Sequence, residues 1–440
     1  MRNLSNYLGL LGLVGGIGLG VACSASSSDN VFGTGGAGGS GNGSGGSGTT
    51  GTGQAGGLGF GGSGPTGTGT STGSGGVPCE ALPDEDKDMD GFTITAGDCN
   101  DCDPNVNPQA VEVIGGSGAG GSGGADYIPA DEDCDMQTDE PLETCDTGLA
   151  ADDADPLNAA RAVELCKMSA GPNDWGVTAA SWVMADGSAP PAGNLVNFHR
   201  GHGLLSGFGP NVTVRAGQRL LAVSSGTGRQ PSDPGYASPG GFDKQYAGQH
   251  PQDFPKESAA CPGTLTGVPR DPTAVEIEIR VPSNAHGFSF NFDFYTYEWP
   301  GYICSQYNDF FVAILSPIPQ GQSDGQISFD NQGNPVSVNN AFVDVCGCAG
   351  GPPCSAGGKV FQCSLGTNEL NGTGFESHAA TSWLKTTAPA EPNTLIRIRW
   401  GAYDSGDGIL DSTGLVDNWE WIAEPGTVVG TNPDPPEEPE

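Results

Sequence analysis

From Asp86 to Gly91 the chain reads Asp-Lys-Asp-Met-Asp-Gly, placing carboxylates at Asp86, Asp88 and Asp90. Acids at every second position can wrap oxygens around a hard cation, and the glycine then takes the tight turn. Asp98, Asp101 and Asp103 follow, interleaved with Cys99 and Cys102; Glu112 comes next, then Asp133, Asp135 and Asp139. Together these acids are the predicted metal ligands. Oxygen donors without a histidine favour Ca²⁺, whereas copper prefers imidazole, thiolate or thioether and fits less well. An EF-hand would set a bidentate acid at its twelfth loop position, but Gly97 stands there with Asp98 just after. The plain alternative is a solvated acidic linker with accidental spacing.

A second set of polar residues sits at the ends of apolar segments: Glu298, Asn308 and Asp309, then Asp404, Asp407, Asp411 and Asp417. Gathered at one end of a β-structure, they could hold a structural Ca²⁺ or a polar ligand. Equally, they could satisfy turns and strand ends by hydrogen bonding. Paired carboxylates can also act as acid and base, so a secreted hydrolase acting on polysaccharide is the competing class. His199-Arg200-Gly201-His202 lacks the helix and glutamate of a zinc protease motif. No catalytic residue is predicted, and the chain is expected not to be an enzyme.

Thirteen cysteines are present; setting Cys23 aside leaves an even number, which points to disulfides and an oxidising compartment. Cys346, Cys348, Cys354 and Cys363 could suggest zinc, but that compartment favours two disulfides. The net charge is −36, with 16 basic residues against 52 acidic ones. This composition excludes nucleic acid as a partner, since no basic stripe exists to displace counterions. Divalent cations are the expected partners.

Positioning these residues falls to a chain that divides by composition. Residues 1–23 read as an export signal, with Arg2, an apolar run from Leu8 to Leu19, and Ala22-Cys23. Val21-Ala22-Cys23 resembles a bacterial lipobox, with Gly20 where Leu is preferred; this implies lipidation at Cys23, membrane attachment and display on the cell surface or outer membrane. Without lipidation the protein would be secreted. Residues 24–78 form a Gly/Ser/Thr-rich linker that buries too little to fold. Residues 79–141 are the acidic module, interrupted by Gly115–Gly124. Residues 142–426 form the large domain, and 427–440 an acidic, Pro-rich tail.

Within the large domain, Asp155 is a helix N-cap with Pro156 behind it, and near-helical spacing continues to Cys166. Period-two alternation follows. Val275, Ile277, Ile279 and Val281 share a face opposite Glu276, Glu278 and Arg280; Phe288, Phe290, Phe292 and Phe294 oppose Ser289, Asn291 and Asp293. Ile396, Ile398 and Trp400 alternate with Arg397 and Arg399. Further strands are expected at 219–224, 310–315 and 415–422, with a hairpin at 326–339. The fold class is mainly β: an antiparallel, jelly-roll-like β-sandwich with long disulfide-bonded loops and one or two short helices.

The acidic stretch resembles a thrombospondin type 3-like calcium loop. More widely, Asp86–Gly91, Gly97–Glu112 and Asp131–Glu140 resemble the metal-binding motif of the copper-binding MopE-type proteins, with Cys102 and the Gly/Ser insert as departures. Phe288–Leu315, Ala380–Leu384 with its Thr386–Pro389 tail, and Asp404–Trp421 resemble the choice-of-anchor L family, whose secreted domains have no settled activity. Ala159–Cys166 with Trp175-Gly176-Val177 is similar to the upstream part of its myxobacterial-type members. A long tether, cation-dependent rigidity and aromatics at Tyr295, Tyr297, Trp299 and Tyr302, which could equally be core, lead to an expectation of adhesion to a glycan or matrix ligand. A passive envelope component is the third reading.

Overall fold

The structure, a computed structural model, describes residues 80–114, 129–140, 144–340 and 342–434. The export signal, Cys23, the 24–78 linker and the Gly/Ser insert lie outside the described residues. The fold is mainly β, and two antiparallel sheets face one another. One runs β1 (Gly176–Val183), β4 (Pro269–Arg280), β11 (Leu395–Ser405), β6 (Phe310–Ser316) in spatial order. The other runs β13 (Gly430–Pro433), β10 (Leu384–Pro389), β5 (Gly287–Thr296), β12 (Ser412–Ile422), β3 (Leu220–Ser224), β2 (His202–Leu205), and β9 (Ala379–Ala380) also pairs with β5. A small hairpin, β7 (Cys354–Ala356) and β8 (Lys359–Phe361), stands apart.

The expected alternation builds the core. Val275, Ile277 and Ile279 of β4, with Ile396, Ile398 and Trp400 of β11, meet Phe288, Phe290, Phe292 and Phe294 of β5 across the sandwich. Outside the first sheet the register sets Arg397 opposite Glu278 and Arg399 opposite Glu276, and both pairs form ion pairs. The second sheet departs from the simple pattern. Ser289, Asn291 and Asp293, on the far face of β5, are buried as well. A second apolar layer from the 205–214 and 345–383 segments covers that face near Tyr295, Leu415 and Trp383.

Three expectations are corrected. The helix α1 spans only Pro156–Arg161, capped by Asp155, whose side chain accepts from the Leu157 N–H. Glu164 then takes a left-handed conformation (φ 66°), turning the chain so that Cys166 meets Cys145. Residues 326–339 reverse at 330–334, where Phe329 and Pro335 form an antiparallel bridge and Asp330 accepts from Asn334, but no regular strands flank the turn, and the segment instead bridges β6 at Phe310 and Ile314. The strand β13 enters the expected tail, because Gly430–Pro433 finds a free edge on β10.

Every cysteine among the described residues is disulfide-bonded. Cys346–Cys363 and Cys348–Cys354 occupy the position considered for zinc. They staple a small apolar cluster around Trp299 and Phe361.

Candidate functional site

The acidic module contains two carboxylate loops. In the first, one oxygen from each of Asp86, Asp88 and Asp90 lies within 4.8 Å of the others, and Asp88 forms a like trio with Asp98 and Asp101. Each acid divides its labour. One oxygen holds the backbone: Asp88 accepts from the Asp90 N–H (3.2 Å), Asp90 from Phe92 (2.7 Å), Asp98 from Asn100 (2.8 Å) and Asp101 from Lys87 (2.8 Å). The Oδ2 atoms of Asp88, Asp90, Asp98 and Asp101 are buried without a hydrogen-bond partner. Desolvation raises Asp88, Asp90 and Asp98 above the usual carboxylate range, Asp98 to about 6. Converging oxygens that destabilise one another when ionised are what a divalent cation would relieve.

Gly97 explains the missing twelfth-position acid. It caps the short 3₁₀ turn Ile94–Ala96 with φ 105°, and the following residue, Asp98, enters the loop and is buried.

The second loop repeats the first. Asp131, Asp133 and Asp135 alternate as Asp86, Asp88 and Asp90 do. Asp131 accepts from the N–H of Met136, five residues on, as Asp86 does from Gly91. Met136 takes the positive φ (76°) that Gly91 takes (101°). A methionine at a glycine position concealed this repeat from the sequence reading. Glu112 ties it together, accepting from Glu132 (2.9 Å), Asp133 (3.1 Å) and Asp139 (2.8 Å). Its carboxylate groups with Glu132 and Asp139 and with Asp131 and Asp133; Asp133, Asp135 and Glu140 form a further trio. Asp131, Glu132 and Glu140 thus join the expected ligands. Asp103 belongs to none of these trios; its Oδ1 accepts from the Asn105 N–H and carboxamide. Cys99–Cys134 links the two loops across the insert.

The module is docked on the sandwich. Asn284, in the β4–β5 turn, accepts from the Val111 N–H (2.9 Å) and donates to its carbonyl (2.8 Å). Ser283 donates to Asn107, and Gln109 accepts from the Trp175 N–H.

The sandwich acids separate into two places. Glu298, Asp309, Asp404 and Asp411 come together at one end of the fold, all almost wholly buried. Asn308 is buried beside them and accepts from Asn339. Asp407 is exposed on the β11–β12 loop. Asp417 lies elsewhere, accepting from the Arg215 and Asn418 N–H groups and facing Glu164. Sequence reasoning grouped it with the others because β12 carries it, but Asp417 lies five residues along the strand from Ser412, at which β12 begins.

Tyr295 and Trp299, expected as possible surface aromatics, are core residues, 0% and 1% exposed. Tyr297 is half-buried and stacks on His378. Tyr302 is exposed (39%) and packs edge-on against Tyr307. Tyr307 lies over Gly406, where a Cβ would come within 2.6 Å of its ring. Leu265, Val268 and Ile409 are exposed on the neighbouring loops. These loops are joined by Cys261–Cys304 and by the Gly406 N–H to the Val268 carbonyl. An apolar, partly aromatic surface beside Asp407 results.

The histidine pair is more ordered than expected. His199 lies in the last turn of a short helix, α2 (Leu195–Arg200), and its Nδ1 lies 2.9 Å from Nε2 of His202, which is buried and stacked on Trp182. Burial holds both below the usual histidine range.

No protein-family model matches the chain, and no curated protein matches its sequence. Among solved structures it is similar to the K2 cleaved adhesin domain of Lys-gingipain, 12% identical, with 55% of this chain and 88% of that one covered and a TM-score of 0.22. It is also similar to TmCBM61, solved in complex with β-1,4-galactotriose (9% identity, 56% and 90% covered, TM-score 0.21). A third is TmCBM27, a carbohydrate-binding module with specific mannan recognition (11% identity, 56% and 96% covered, TM-score 0.19). Likeness at this level leaves the ligand of this chain to its own residues.

Proposed function

We propose that this chain is an exported, lipid-anchored surface protein whose acidic module binds calcium and whose sandwich binds a polar ligand, a glycan or matrix component. The observation that carries the calcium reading is the set of four buried, unpartnered carboxylate oxygens on Asp88, Asp90, Asp98 and Asp101. They converge in a loop that their sister oxygens already hold in shape. The donors are all oxygen, which suits Ca²⁺ and disfavours copper.

Ligand binding is supported by the surface of Tyr302, Tyr307 and Asp407. Tyrosine offers a rigid apolar face and a polar edge at low entropic cost, and a carboxylate beside it can accept from sugar hydroxyls. The carboxylates that a hydrolase would use as acid and base are buried beneath that surface, which favours a binder. Export is supported by the disulfides, which persist in oxidising compartments, and by the Ala22-Cys23 signal. The test is glycan-array binding with calcium and with EDTA. Binding that chelation abolishes, without turnover of the bound sugar, is the expected result; turnover, or adhesion indifferent to EDTA, would overturn the reading.

A further inference from the structure

Among the residues that join the module to the sandwich, one also reaches both carboxylate loops. Asn107 is wholly buried and divides its polar groups three ways. Its backbone N–H donates to the Glu132 carbonyl of the second loop (2.8 Å). Its Oδ1 accepts from the Ser283 hydroxyl in the β4–β5 turn (2.8 Å) and from the Gln109 N–H (2.9 Å). Its carboxamide faces the Asp90 carboxylate of the first loop. There Asp90 Oδ1 is already taken by the Phe92 N–H, and Oδ2 is one of the buried, unpartnered oxygens.

The residue type is what such a joint requires. A carboxamide donates and accepts at once, whereas an aspartate at this position would set one more like charge against Asp90. Its orientation is fixed from outside the module. With Oδ1 held by Ser283, the amide nitrogen is left to the module side, where it also lies 3.4 Å from the Pro104 carbonyl. The same turn of the sandwich reinforces the contact: the Ser283 N–H donates to the Gln109 carbonyl (2.9 Å), and Asn284 holds Val111. Metal-binding side chains depend on the groups that orient them from behind, and here one such group is itself oriented by the sandwich.

We propose that Asn107 is a positioning residue of the first calcium loop and that, through it, the β4–β5 turn of the sandwich raises the affinity of the module for calcium. The inference rests on the calcium reading of the module. Asn107 keeps Asp90 in the orientation that leaves Oδ2 to the ion, and Ser283 keeps Asn107 in place. Coupling of this kind is reciprocal: the ion favoured by docking also tightens the docking, so calcium stiffens the junction between module and sandwich.

Calorimetric titration of calcium into the full chain tests this, with circular dichroism showing that each variant is folded. Asn107→Ala is expected to weaken calcium binding about tenfold or more, the scale for losing a group that orients a metal ligand. Ser283→Ala removes no carboxylate and lies in the sandwich, yet it is expected to weaken calcium binding about fivefold, the lower end of ordinary coupling between sites. A purely structural Ser283 would lower the melting temperature of the calcium-free chain and leave the affinity unchanged; that result overturns the proposal and leaves the calcium reading standing. Parent-like affinity in a folded Asn107→Ala chain does the same. Should Asn107→Ala fail to fold, Ser283→Ala decides. A parent that takes up no calcium overturns the calcium reading and this proposal with it. The reciprocal arm is hydrogen exchange: in the parent, calcium is expected to slow exchange of the Ser283 and Val111 N–H groups, and rates indifferent to calcium would also overturn the coupling.

Discussion

The carboxamide of Asn284 holds both backbone polar groups of Val111, accepting its N–H and donating to its carbonyl as a neighbouring strand would. Asn284 is 1% exposed and Val111 6%, so these bonds are made out of water. An acidic module with little apolar surface is thereby fixed to a domain with a large core.

Asn284→Ala should therefore cost more than a surface substitution. It strands a buried donor and a buried acceptor, each worth about 1–3 kcal/mol when unsatisfied. The expected outcome is a lower melting temperature and a smaller calcium-induced shift. Differential scanning calorimetry with and without calcium measures both; an unchanged shift would show that module and sandwich melt independently.

Calcium should raise the stability of the parent by about 2.7 kcal/mol at a hundredfold excess over the dissociation constant, if it binds only the folded state. Asp98→Asn with Asp101→Asn should remove most of the contribution of the first loop. These two side chains are 2% exposed and carry unpartnered oxygens. Calorimetric titration checks the prediction: heats of binding that persist unaltered in the variant would place the ion elsewhere.

Glu164 and Asp417 give a pH dependence of defined sign. Burial raises both, Asp417 to about 7 and Glu164, which also faces the Asp417 charge, to about 9. The folded state thus binds more protons than the unfolded chain between about pH 4 and 9, so stability falls as pH rises through that window. Glu164→Gln, which can still donate to Asp417, should flatten the fall and stabilise the protein at pH 9. Urea midpoints of parent and variant across pH 5–9 provide the check, and parallel curves would refute it.

Tyr302→Ala should weaken ligand binding about fivefold to tenfold, the scale of one lost aromatic contact, while lowering the melting temperature far less than a core truncation does, because the ring is partly exposed and packs only on Tyr307 at the surface. Tyr295→Ala should do the reverse in kind. That residue is fully buried, and truncating a core aromatic costs about 3–5 kcal/mol. Glycan affinity and thermal melting, measured side by side, separate the two roles.

Local chemistry was legible where local rules act. Asp155 and Pro156 announced a helix start because a cap needs only its own side chain and the next N–H groups. The period-two runs of β4, β5 and β11 announced strands because alternation follows from the pleat. Asp86, Asp88 and Asp90 announced a loop of converging carboxylates because six residues suffice to build one. The acids of the second loop were singled out too, but its likeness to the first stayed hidden because Met136 occupies a position where glycine would have marked the turn.

The sequence by itself determined an oxygen-rich acidic module, a β-rich domain held by disulfides, and the alternation that builds the sandwich core. The tertiary structure decided which distant residues share a space. It set Asp404 and Asp411 with Glu298 and Asp309 but sent Asp417 to Glu164, and it buried Tyr295 and Trp299 while exposing Tyr302. It also covered the polar face of β5 with a second layer. Such outcomes depend on strand order, on register and on which loops fold back over a sheet, and these are settled by contacts between residues up to hundreds of positions apart.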